Sequence, residues 1–72
     1  MNISEFQFIM RRIYYERDSD RGAQGTLNRL SDEVEELREA VSADSGEAIS
    51  EELADVLAWL TSLANIVGID LE

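Results

Sequence analysis

With sixteen acidic side chains and neither histidine nor cysteine, the chemistry of this chain rests on carboxylates, and four of them are spaced to act together. Glu33 with Glu36, and Glu52 with Asp55, stand three residues apart, each acid followed by an aliphatic residue. On a helix such pairs lie one above the other on the same side. The pairs also sit at matching depth: Glu36 and Glu52 are each eight residues from Asp44, and Glu33 and Asp55 each eleven. A chain folding back near Asp44 therefore makes the two claws face each other. Four carboxylates at helix–helix distance repel and raise one another's pKa unless a cation lies between them. Hard oxygen donors of this kind suit Mg²⁺.

A second register competes, because Glu35-Glu36-x-x-Glu39 has a similar shape. The apolar stripe of the same segment, Leu30, Val34, Leu37, Ala40 and Val41, decides between them. At about 100° per residue, Glu33 lies roughly 60° from the stripe's centre, Glu36 about 120°, and Glu39 almost opposite it. Glu52 and Asp55 fall at nearly the first two offsets from their own stripe, so Glu33 and Glu36 match them and Glu39 belongs in solvent. Most Glu-rich helices are no more than solvated faces. It is the matched depth and angle, and the shortage of nearby arginines, that favour a metal.

The elements that must carry these pairs follow from periodicity and caps. Ser4 with Gln7 reads as a capping box, with Ile3 and Phe8 as a staple, and Phe6, Ile9, Met10 and Ile13 repeat at helical spacing. Phe8 and Tyr15 fall on the opposite side, which calls for a partner or a ligand there. Arg17–Gly25 lacks a period, holds two glycines and reads as a loop. Thr26 is placed to cap a second helix, Ala43–Gly46 reads as a turn with Asp44 and Glu47 as a further capping box, and Gly68 caps a third helix. The expectation is an all-α antiparallel bundle of about three helices near residues 4–16, 26–42 and 46–67. Asp70-Leu71-Glu72 has the look of a cap and first turn, as though a further helix belonged there. The third helix, Ile49 to Val67, is too broadly apolar for three helices to cover, so dimerisation or tetramerisation is expected.

Bulk properties narrow the function. Seventy-two residues form one domain, 1–72, that hides only about 60% of its unfolded surface. A net charge of -10, with six arginines and no lysine, argues against a nucleic-acid polymer as partner. No segment has the roughly 20 apolar residues of a membrane span, and without a signal peptide a cytoplasmic location is expected.

The context Leu30-Ser31-Asp32-Glu33-Val34-Glu35-Glu36-Leu37, followed by Glu51-Glu52-Leu53-Ala54-Asp55-Val56-Leu57, resembles the all-α nucleoside triphosphate pyrophosphohydrolases, and MazG-type domains among them. Arg17-Asp18 through Gly25-Thr26, and the ending Gly68–Glu72, are similar to small archaeal MazG-like proteins. The resemblance covers nearly the whole chain. It implies a Mg²⁺-dependent enzyme, with Mn²⁺ as the alternative ion, that cleaves a nucleoside triphosphate between the α and β phosphates. It assigns the metal to Glu33, Glu36, Glu52 and Asp55. Asp32 stands where Glu is usual, which leaves its role open; it is a candidate to take the proton from the attacking water. Arg29, where relatives have Lys or an aromatic, either contacts a phosphate or pairs with Glu33, the pairing being slightly favoured. Many relatives carry a further helix that completes the substrate pocket, and its lack would put full activity in question. Phe8, Tyr15 and Trp59 could stack on a nucleobase, although Trp59 lies on an apolar stripe and reads first as core. The competing class is a non-catalytic acidic helical module for oligomerisation or interaction.

Overall fold

A computed structural model describes Met1–Glu72. Two helices make up the all-α fold, α1 over Ile3–Ser42 and α2 over Gly46–Val67. A straight helix of α1's 40 residues would be about 60 Å long, whereas the longest dimension of the molecule is 35 Å. The difference is absorbed at Gly22, whose φ of 82° and ψ of 169° break the helix into two arms. Only glycine adopts that region at small cost. The stretch read as a loop over Arg17–Gly25 is thus helical on both sides of one residue.

Local ties explain the correction. Arg21 Nη1 donates to Asp18 Oδ1 at 3.0 Å and to Thr26 Oγ1 at 3.1 Å, stitching the two arms across the break. Thr26, expected as a helix cap, is fully buried within the second arm. The first arm begins at Ile3 with Asn2 as its cap, the Asn2 side-chain Oδ1 accepting from Glu5 N–H at 2.8 Å. Gln7 is freed from capping. Its Nε2 donates to Ile69 O at 2.7 Å and its Oε1 accepts from Leu71 N–H at 3.0 Å, while Asn65 Nδ2 donates to Gln7 O at 3.2 Å. Residues 69–72 consequently lie against the start of α1 and form no helical turn.

The reversal between α1 and α2 falls where expected. Asp44 takes φ 53° in it, a conformation that Asp tolerates better than most residues. Ser45, and not Asp44, caps α2, accepting from Ala48 N–H at 3.3 Å. Gly68 ends α2 at φ 73°, and Ile69 N–H reaches back to Ala64 O at 2.9 Å, as in a Schellman cap.

Packing within one copy is thin. Ala40 and Ala64 are the only buried apolar residues, and the rest of the buried set is polar: Gln7, Asp18, Thr26, Glu33, Thr61, Ser62 and Asn65. Ile9, Ile13, Val34, Leu53, Leu57 and Leu60 all remain exposed. No helix is long and apolar enough to cross a membrane.

Candidate metal centre

The second arm of α1 and the N-terminal half of α2 run back from the Ala43–Ser45 turn, so equal steps from the turn meet. This juxtaposes Glu33 and Glu36 with Glu52: one carboxylate oxygen from each lies within 4.8 Å of the other two. Asp55, one turn along α2, is exposed. It bears on Glu33 and Glu52 through its charge, but its oxygens are outside that 4.8 Å group.

The burial of the cluster is graded. Glu33 is buried, Glu52 half-buried and Glu36 exposed. Glu33 Oε2 and Glu52 Oε2 are sealed from water and accept no hydrogen bond. Arginine does not relieve them, because the ion pairs of the molecule are Arg21–Asp18 and Arg38–Glu35. Burial is the largest cause of a raised pKa at Glu33, followed by the Glu36 carboxyl and the charge of Asp55, with Glu52 acting in the opposite sense. Glu52 is pushed up to about 7, first by burial, then by Glu36, Glu33 and Asp55. Such a set strains against itself when ionised and is relieved by a proton or a cation.

Other expected participants lie nearby without joining. Asp32 is exposed and makes no hydrogen bond or ion pair. Arg29 forms no ion pair with Glu33, contrary to the favoured expectation; its guanidinium lies over the Trp59 ring, 5.1 Å from the centroid. Trp59 is half-buried and also meets Arg21, at 4.6 Å, so it is less a core residue than an aromatic ring in contact with two arginines. Phe8 and Tyr15 are exposed, with Arg12 and Arg11 over their rings at 5.9 and 4.7 Å. The most deeply buried acid, Asp18, escaped sequence reasoning altogether. Nothing in the spacing of Arg-Asp-Ser-Asp-Arg separates it from Asp20, which is exposed.

The carboxyl cluster fits a divalent cation by its chemistry: three oxygen-donor side chains on two helices, two of their oxygens buried without a hydrogen-bond partner, and no arginine paired with any of them. A comparison with curated proteins finds no match. A family model described as the MazG nucleotide pyrophosphohydrolase domain matches residues 21–72, from the arginine beside the kink to the end of the chain.

Proposed function

The chain belongs to the MazG nucleotide pyrophosphohydrolase family, and on that premise we propose that it is a Mg²⁺-dependent enzyme hydrolysing the α–β phosphate bond of a nucleoside or deoxynucleoside triphosphate to a monophosphate and pyrophosphate. The observation that carries this reading is the pair of donorless buried oxygens, Glu33 Oε2 and Glu52 Oε2, beside Glu36. Glu33, Glu36 and Glu52 hold the ion, and Asp55 joins as a fourth ligand by rotation of its exposed side chain. The ion, Mg²⁺ or Mn²⁺, supplies charge neutralisation for the phosphates and a more acidic bound water. Asp32, exposed next to Glu33, takes the proton from the water. Arg29, unpaired with any acid, contacts a phosphate oxygen from one turn before Glu33. This division of labour suits phosphoryl chemistry, which needs positioning and charge stabilisation more than a covalent nucleophile.

We further infer that the working unit is a homodimer or homotetramer in the cytoplasm. Leu53, Leu57 and Leu60 are exposed on α2 while α1 leaves Val34 and Val41 uncovered; surfaces of this kind mark protein contacts. In the assembly, these side chains furnish the core that one copy lacks.

The test is pyrophosphate release from a panel of NTPs and dNTPs, with Mg²⁺ and with chelator, in wild-type protein and Glu36→Gln. Metal-dependent release that the substitution abolishes is expected. No release in any arm would instead favour the non-catalytic acidic module.

A further inference from the structure

Asp18 is the most strongly sequestered ionisable group of the molecule, at 2% exposure. Its Oδ1 is held by Arg21 at 3.0 Å, and Arg21 is held in turn by the fully buried Thr26. Its Oδ2 is shut away from water and has no donor. A buried acceptor left without a partner costs on the order of 1–3 kcal/mol, and more when charged, so the fold retains this oxygen against its own stability. Asp18 lines a cavity of about 320 Å³ together with Tyr14, Arg17, Arg21, Trp59 and Ser62. That volume lies at the lower end of small-molecule sites, roughly 300–1,000 Å³. Its walls include flat surfaces: the Trp59 indole with the Arg21 guanidinium 4.6 Å from its centroid, and the Tyr14 ring with Arg17 at 6.0 Å. Nucleobases stack on both kinds of plane.

The cavity also lies in register with the carboxylates. Trp59 follows Glu52 by seven residues on α2, about 10 Å along the axis. Arg29 spans the interval, one turn before Glu33 in sequence and with its guanidinium over Trp59. A nucleotide with its phosphates at the carboxylates, the nearest of them within reach of Arg29, brings its sugar and base toward Trp59.

We propose that this cavity is the nucleobase subsite, in which Asp18 Oδ2 accepts an N–H from the exocyclic amino group of adenine, cytosine or guanine. The proposal rests on the nucleotide reading given above. The base reaches Oδ2 once the exposed side chain of Arg17 and the partly exposed ring of Tyr14 make room; Asp18 itself stays pinned by Arg21. The selectivity follows from donor placement. An amino group presents N–H to a lone carboxylate oxygen, with a ring nitrogen or carbonyl beside it for Arg17 or Arg21. Uracil and thymine carry their single edge N–H between two carbonyls, which would set acceptors against the carboxylate.

Trp59 is the only tryptophan, so intrinsic fluorescence reads this cavity directly, and monophosphates, which have no α–β bond to cleave, are tested with Mg²⁺ present and without turnover. The probes are AMP, CMP, GMP, UMP and ribose 5-phosphate. Saturable quenching by the first three is expected, with UMP about tenfold weaker, as loss of a hydrogen bond to a charged group implies. Asp18→Asn keeps an oxygen for Arg21 and puts an NH₂ in place of Oδ2, so the preference should turn toward UMP. Equal quenching by CMP and UMP in wild-type protein, or a response to ribose 5-phosphate as large as to the nucleotides, overturns the proposal. So does an Asp18→Asn protein of unchanged melting temperature and unchanged preference. Pyrophosphate release without base-selective quenching defeats the subsite and leaves the enzyme reading intact. Base-selective quenching without release in any metal supports the subsite and defeats catalysis.

Discussion

Loading the carboxylate cluster with Mg²⁺ should expel protons, in an amount that follows from the structure. Glu52 sits at a pKa of about 7 because it is desolvated and faces Glu36, Glu33 and Asp55. At pH 7 about half of the Glu52 carboxyls therefore hold a proton, at pH 6 about nine in ten, and at pH 8 about one in ten. Coordination requires the ionised form, so these are the fractions of a proton that Glu52 gives up per ion bound. Glu33, raised by the same surroundings, adds to the total. Titration calorimetry at one pH in buffers of different ionisation enthalpy gives the proton number as a slope. It should fall between pH 6 and pH 8 as Glu52 ionises, and Glu52→Gln should remove the Glu52 share. A slope of zero at both pH 6 and pH 7 would refute the reasoning, since the cluster would then be ionised before the metal arrived. The same shifts fix the sign of stability against pH without metal. Both acids bind protons more tightly folded than at their ordinary value of 4.5. The contribution of Glu52 is therefore complete below about pH 4.5 and lost as pH rises through about 7, and that of Glu33 changes in the same direction, so the metal-free protein should melt lower at pH 8 than at pH 5.

Mg²⁺ at a hundred times its dissociation constant should stabilise the fold by about 2.7 kcal/mol, a rise of about 10–20 °C in melting temperature for a domain this small; a rise of the same size in Glu36→Gln would exclude the cluster as its origin. Gly22→Ala meets no atom within 4 Å of the new Cβ but inherits φ +82°, so it should cost on the order of 1–3 kcal/mol in urea denaturation. Gly46→Ala, equally free of neighbours and at the helical start of α2, should be neutral or slightly stabilising, and equal losses at both sites would mean that the kink conformation is not what Gly22 supplies. Leu57→Glu places a charge on the exposed α2 face; light scattering should show the 8.1 kDa chain as an oligomer in wild type and as a monomer in the variant, whereas a monomeric wild type would leave the apolar face without a self-partner.

Helix spacing made the cluster legible because it depends on two local facts, three-residue intervals and equal distance from a turn. Glu33, Glu36 and Glu52 meet for that reason. Asp55 obeys the same spacing yet falls outside the group, since its one-turn offset along α2 is a matter of depth in space that counting residues does not resolve. The Arg17–Gly25 stretch misled in a different way. Its glycines and alternating charges have no helical period, but short-range ties from Arg21 to Asp18 and Thr26 hold helix up to a single break. Ser4 and Gln7 show the same override, where a plausible capping box gives way to Asn2 as cap and Gln7 as anchor for residues 69–71. The Leu30–Val41 stripe was correct as periodicity, but Val34 and Val41 are exposed because one copy has too little to place against them.

The clasp between the start of α1 and residues 69–72 bears on the order in which the molecule assembles. Its bonds join residues 58 to 68 apart in sequence, whereas Glu33 and Glu52 are 19 apart across a tight turn. Closing the shorter loop costs less chain entropy, and local contacts form early. The hairpin of the second arm and α2 thus comes first, and the first arm swings in on Gly22 afterwards. The mutually repelling acids must therefore come together at the nucleating step, before any other packing can hold them. Saturating Mg²⁺ should accordingly lift the folding limb of the chevron more than it lowers the unfolding limb, while a change confined to unfolding would place the claw's closure after the barrier.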